Sequence, residues 1–305
     1  MTNQTKSPNS RPMTTREWTL LLLLGAIWGG AFFFARIAVA EIPPLNLVFF
    51  RVAIAAVALH IYLAFAGPSF RLALPMAGSF VGLALLNNII PFSLMFLGQT
   101  ELGAGAASIL NATTPFWTMI LANLFTSDEK LSANKLIGVA IGMVGAAVMI
   151  GPGVIADLGA PAWAKLALVG TAVSYAFATI YGRRFRSLPV SVVATGQITA
   201  GAIVMIPVVL ITHGTQGLFT ASPPAWSAVL ALALLATSVA YIIYFSLLGS
   251  AGATNTSLVT FIVPVSAIVL GALFLNERLE TFEFAGMALI AVGLMVIDGR
   301  LFRRK

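Results

Sequence analysis

Apolar residues along this chain fall in long unbroken blocks, and each block is closed by glycine, proline or charge. Ten such segments are read at residues 18–38, 44–65, 72–98, 103–125, 134–150, 161–182, 189–212, 225–249, 252–274 and 282–299. A helix that crosses a bilayer takes about 20 apolar residues. A transmembrane β-strand would show alternation over about ten residues, and the blocks do not alternate. In hydrocarbon every backbone N–H and C=O must be paired within the protein, so these blocks predict helices. The expected fold class is an all-α integral membrane protein with ten transmembrane helices.

Composition sharpens this. Of 305 residues, 59% are hydrophobic and 9% are charged, against about 25% charged in an ordinary soluble domain. Mean hydropathy is +0.97. A soluble enzyme, a disordered chain and a nucleic-acid-binding domain are excluded. The net charge is +7, but the basic residues are too few and scattered to form a nucleic-acid footprint. The chain has no cysteine, so disulfides and thiolate chemistry are absent. His60 and His213 lie far apart and without metal-ligand spacing. No metal and no cofactor are expected; the partners are the bilayer and a small-molecule substrate, with monomer and homodimer both open.

The first apolar run starts at Trp18 and ends near Ala38-Val39-Ala40, which mimics a signal-peptidase site. It is longer than the 7 to 15 residues of a signal-peptide core, and Arg36 interrupts its end, so it reads as a retained helix. Lysine and arginine then set the direction. Lys6, Arg11, Arg16, Arg71, Lys130, Lys135, Arg183, Arg184, Arg186, Arg300, Arg303, Arg304 and Lys305 fall on one side. Arg36, Lys165 and Arg278 fall on the other, and Arg51 lies inside a span. This bias puts both termini in the cytoplasm. Trp18, Trp163 and Trp226 each open a span, as interfacial anchors do.

The two halves repeat. Pro115 falls opposite Pro264 and Phe125 opposite Phe274. After a one-residue shift, Glu129-Lys130-Leu131 meets Glu277-Arg278-Leu279, and Gly138, Gly145 and Gly151 meet Gly286, Gly293 and Gly299. Earlier in the halves, Trp28 pairs with Tyr175 and Arg36 with Arg183. Five helices per half make the second half an inverted copy, a plan of secondary transporters whose substrate site lies at the repeat interface. The expected organisation is a tail at 1–17, repeats at 18–151 and 161–299, and a basic tail at 300–305.

Further strings carry a resemblance: Trp28-Gly29-Gly30-Ala31-Phe32, Pro44 with Arg51, Phe96-Leu97-Gly98-Gln99-Thr100, Gly103-Ala104-Gly105-Ala106-Ala107 before Pro115, and Leu275-Asn276-Glu277-Arg278-Leu279. The chain resembles the EamA-type permeases of the drug/metabolite transporter superfamily over nearly its whole length. Its first half departs from the pattern, with Ser127-Asp128-Glu129 in place of a Gly-Glu pair. The resemblance implies ten helices, cytoplasmic termini and export or exchange of small metabolites across a bacterial inner membrane. Aromatic residues in the first, fourth, sixth and eighth segments are similar to those of amino-acid exporters of the YddG type.

Polar groups are expensive in hydrocarbon unless they find a partner or water. Candidate cavity residues are therefore Asn87, Asn88, Asn111, Gln197 and Asn255, together with Trp28, Trp117, Tyr175, Tyr241 and Tyr244. Tyr241 and Tyr244 are three apart and share a helix face. Phe32, Phe33 and Phe34 cannot all face one cavity. Pro91, Pro115 and Pro264 each remove a backbone donor and are expected to kink their helices. Arg51 is a candidate to bind a substrate carboxylate or to close a gate, unless its helix starts later and the side chain reaches the interface. His60, in the same helix, is the other gate candidate and could carry a proton. No Asp or Glu sits near the middle of a span, which points to movement down a gradient. Gly138, Gly142 and Gly145 suit close packing against Gly286 and Gly293, or else a dimer seam.

The expected function is secondary transport: export of small metabolites, amino acids with aromatic or other apolar side chains first among them, by alternating access. The alternatives are export of other metabolites or drugs, and an intramembrane enzyme. No P-loop, HExxH or nucleophile–base arrangement supports an enzyme.

Overall fold

The computed structural model describes residues 13–298 apart from 103, 130, 151–160, 213–219 and 275–279. The string Leu275–Leu279, Lys130, His213, Gly151, Gly299, residues 1–12 of the N-terminal tail and the C-terminal tail lie outside the described residues. Within them the chain is helical throughout, with no strand. The helices are α1 (Thr15–Val39), α2 (Pro44–Ala66), α3 (Phe70–Glu101), α4 (Ala104–Asn111), α5 (Thr114–Phe125), α6 (Ala133–Ile150), α7 (Ala162–Phe185), α8 (Val190–Thr212), α9 (Pro223–Ala251), α10 (Ala253–Ser257), α11 (Val259–Phe274) and α12 (Thr281–Asp298). Among the described residues, α1, α2, α3, α7, α8, α9 and α12 are long and apolar enough to cross a membrane. Leu22, Phe65, Leu166 and Ile211 are strongly exposed. In water that surface would be a large liability, whereas lipid solvates it.

Helix starts follow local chemistry. Thr14 caps α1: its hydroxyl accepts from the Glu17 amide, and the Glu17 carboxylate accepts from the Thr14 amide at 2.7 Å. This reciprocal box begins the helix three residues before the apolar run. Ser222 caps α9 through the Ala225 amide. It also donates its amide and hydroxyl to Glu41, each at 2.7 Å, and these bonds hold the Glu41 carboxyl below its usual pKa.

Two predicted segments are broken. Residues 103–125 divide at Ala112–Thr113, and 252–274 divides at Leu258. An apolar block shows no period that reveals such a break. Pro115 lies in the first turn of α5, after the break, so it does not kink a continuous helix as expected. A proline there loses no intrahelical bond. Pro91, just after an irregular turn at Leu85–Ile89, and Pro264 lie inside helices, α3 and α11.

The glycines of α6 are used internally. A Cβ on Gly138 would fall 2.7 Å from the Gly293 carbonyl, and one on Gly145 would fall 2.9 Å from the Gly286 carbonyl. A Cβ on Gly142 would meet the Phe261 ring at 2.9 Å. Helices α6 and α12 thus touch backbone to backbone, which only small residues permit. The dimer-seam reading of these glycines gives way to an internal contact.

Candidate functional site

The centre of the bundle is built on irregular helix turns. Helix α3 contains a π turn at Leu85–Ile89, and α9 contains one at Leu234–Val239. Such turns widen the helix and release carbonyls, and they recur at functional sites. Pro91 has no N–H for the turn before it, and the open carbonyls there take side-chain donors. Leu86 O accepts the Ser174 hydroxyl at 2.7 Å, and Asn87 O accepts the Tyr241 hydroxyl at 2.9 Å. In α9, Ala236 O accepts Trp28 Nε1 at 3.1 Å and Arg51 Nη2 at 3.2 Å. The two arrangements correspond: α1 reaches the irregular turn of α9, and α7 reaches that of α3.

Beside these turns lies a cavity of about 630 Å³, open space at its mouth included. One wall is aromatic. Trp28 packs against Tyr244 at 5.8 Å and Tyr241 at 6.3 Å between ring centroids, and the two tyrosines lie 5.9 Å apart. Tyr175, Phe32 and Phe92 add further apolar surface. The polar lining comes from Asn87, Asn111, Thr114, Thr179, Thr256, Ser257 and Thr260. No Asp or Glu is among the described lining residues.

Among the described residues of the lining Arg51 is the one that is charged, and it is only 3% exposed. It sits two turns inside α2, so the reading in which its helix begins later is excluded. Its Nε donates to Thr237 Oγ1 at 2.8 Å, and its guanidinium stacks over the Phe92 ring at 3.8 Å. Its Nη1 has no hydrogen-bond partner. A buried guanidinium has five donors in a fixed plane, and an unused one is costly until an acceptor meets it.

Seven of the fifteen sequence candidates line this cavity: Trp28, Arg51, Asn87, Asn111, Tyr175, Tyr241 and Tyr244. Three sit behind it. Asn88 Nδ2 donates to the Tyr241 hydroxyl at 2.8 Å, and Gln197 Oε1 accepts from Asn87 Nδ2 at 3.0 Å. Asn255 Nδ2 donates to Ala251 O at 3.0 Å, bridging the α9–α10 break. Trp117 does not reach the lining; it packs on Phe116, and its Nε1 has no partner. His60 is elsewhere, hydrogen-bonded to Thr199 at 3.0 Å and packed on Phe70. Of the three consecutive phenylalanines, Phe32 lines the cavity while Phe33 is 46% exposed. The candidates did not include Phe92, Met95, Val259 and Val263. Apolar residues in an apolar block carry no signal that separates a cavity wall from a lipid face.

A helical membrane protein with a pocket inside its bundle, lined by aromatic and buried polar side chains, has an architecture that suits a transporter. The chain belongs to the EamA-like transporter family, which matches residues 16–151 and again 162–298. It is 28% identical over 296 residues to YedA, an uncharacterized inner membrane transporter of Escherichia coli (strain K12), covering 93% of this chain and 92% of that protein. It is 27% identical over 299 residues to a protein of the same organism named a probable amino-acid metabolite efflux pump, covering 93% and 95%. A solved crystal structure has the same fold, with a TM-score of 0.74 at 18% identity, covering 99% of this chain and all of that one.

Proposed function

We propose that this protein is a secondary transporter that exports small metabolites across a bacterial inner membrane by alternating access. Amino acids with aromatic or other apolar side chains are its first expected substrates. The observation that carries the substrate reading is the unpartnered Nη1 of Arg51 in the wall of an otherwise neutral, aromatic cavity. A substrate carboxylate meets Arg51, an apolar or aromatic side chain lies against Trp28, Tyr241 and Tyr244, and the asparagine and threonine groups take the amine. A purely cationic drug would find no carboxylate in the lining. The name of the efflux-pump relative supports the same reading.

In this reading α4 with α5 and α10 with α11 are each one broken span. Together with the other helices they make ten spans in two inverted five-helix repeats, 18–151 and 161–299. Broken helices at the midplane are a recurring feature of such carriers. The Lys and Arg bias then puts both termini in the cytoplasm. No carboxylate is found among the described lining residues, which supports exchange down the substrate gradient.

The test is counterflow in proteoliposomes with labelled Phe, Tyr, Trp, Met, Thr and Asp and no imposed ion gradient. Saturable exchange of Phe or Trp is expected. Folded protein that exchanges none of them removes amino acids as substrates. Exchange of cationic drugs or nucleosides in the same vesicles would replace this substrate class with another.

A further inference from the structure

At the far end of the cavity a loop of the first half is fastened to a broken helix of the second. Helix α5 ends at Phe125, and the next residues fold back so that Glu129 is only 2% exposed. Its Oε1 accepts the Ala253 amide at 2.9 Å, and its Oε2 accepts the Thr254 amide at 3.0 Å and the Thr254 hydroxyl at 2.7 Å. These donors exist because Gly252, at φ 84°, turns the chain sharply between α9 and α10. Arg183, at the end of α7, pairs with Asp128 and lies 3.5 Å from Glu129. Residues 251–264 are buried without interruption behind this junction.

Helix α10 faces two ways. Its first residues hold Glu129, and Thr256 and Ser257 at its other end line the cavity. The opposite end of the bundle is fastened differently. There the carboxylate that joins the α1–α2 turn to α9, Glu41, is exposed. One end is thus fastened by a buried carboxylate, and the other by an exposed one.

We propose that Glu129, held by Arg183 and the start of α10, is a gating latch: while it is fastened, the cavity is closed toward the Glu129 end, and opening that end requires its release. The proposal rests on the transport reading, and with the expected topology this is the cytoplasmic end. Release moves Glu129 from three protein donors to water and frees α10 to swing, so the part of the chain that senses a bound substrate is also the part that closes the door.

The chain has no native cysteine, so single-cysteine labelling is free of background. Ser257→Cys would be introduced into the full-length protein in oriented vesicles and exposed to a membrane-impermeant methanethiosulfonate from each face. The exposed loop position Ser127→Cys, made separately, identifies the face on which the latch end lies. With Glu129 intact, Ser257→Cys is expected to be protected from that face. Adding Glu129→Ala should raise its labelling rate there by about tenfold or more, the least expected from losing one charge-assisted hydrogen bond. Thr254→Val, which keeps the shape and removes one donor, should act in the same direction and decides the matter if Glu129→Ala does not fold. Unchanged protection in a folded variant overturns the latch. If Ser127→Cys reacts only from the external face, the expected topology fails, while the latch is still judged from that face.

Discussion

Arg51 separates a binding role from a structural one. Consider Arg51→Met, which keeps much of the side-chain length and removes the charge. The variant loses the Nε bond to Thr237, the Nη2 bond to Ala236 and the stack on Phe92. It orphans little. Thr237 Oγ1 still donates to Leu232 O at 2.8 Å, and Ala236 O still accepts Trp28 Nε1. Replacing a buried charge by an apolar side chain of similar size is often neutral or stabilising. The fold should therefore keep its thermal midpoint in detergent or gain slightly. Binding should suffer. A hydrogen bond between charged groups contributes about 1.5–3 kcal/mol. At about 1.4 kcal/mol per factor of ten, KM for exchange rises about ten- to a hundredfold. Arg51→Lys should recover only part of this, because a lysine lacks the planar fork that can hold Thr237, Ala236 and a substrate together. The assay is counterflow of labelled Phe over a concentration series, beside a melting curve. An unchanged KM with a midpoint lowered by several degrees would refute the carboxylate role and make Arg51 a structural strut.

Three further outcomes follow from the packing. Tyr241→Phe leaves Asn88 Nδ2 and Asn87 O without their partner; it should cost about 1–3 kcal/mol, read as a lower melting midpoint, even though the ring remains. Gly286→Ala would put a Cβ 2.5–2.6 Å from Met149 Cβ and backbone and should cost about 1–3 kcal/mol. Gly249→Ala meets nothing within 4 Å and should be neutral or gain roughly 0.5–1 kcal/mol; equal melting of these two glycine variants would refute the close α6–α12 contact. The bond from Arg183 holds the Asp128 carboxyl below its ordinary 3.8. A depressed carboxylate adds stability above its unfolded pKa and loses it as pH falls through the folded value. The midpoint should therefore stay flat from neutral pH to about 5 with respect to this group and fall below about 4. Asp128→Asn should lower the plateau and weaken that fall; a fall as steep as in the parent would place its origin elsewhere.

Much was legible from the sequence because the solvent is lipid. Blocks of apolar residues, closed by proline, glycine and charge, mark helices whether or not the rest of the fold is known, since backbone groups in hydrocarbon have to be paired within the helix. The repeat, the glycines at 138, 145, 286 and 293, and the aromatic and amide residues of the cavity were visible for the same reason: each is an unusual residue in an otherwise apolar block.

Tertiary structure alone decided how those residues are shared out. Whether Arg51 is buried or at an interface depended on where α2 starts. Whether Pro115 kinks a helix or begins one depended on the break at Ala112–Thr113. Asn88 and Gln197 proved to hold other lining residues in place, His60 and Trp117 fell outside the cavity, and Phe92 and Met95 fell inside it. Glu129, read in the sequence only as part of a repeated connecting string, became a buried cap on a helix 124 residues further on. Residue type sets what a side chain costs in hydrocarbon; only the packing of one helix against another decides which partner relieves that cost.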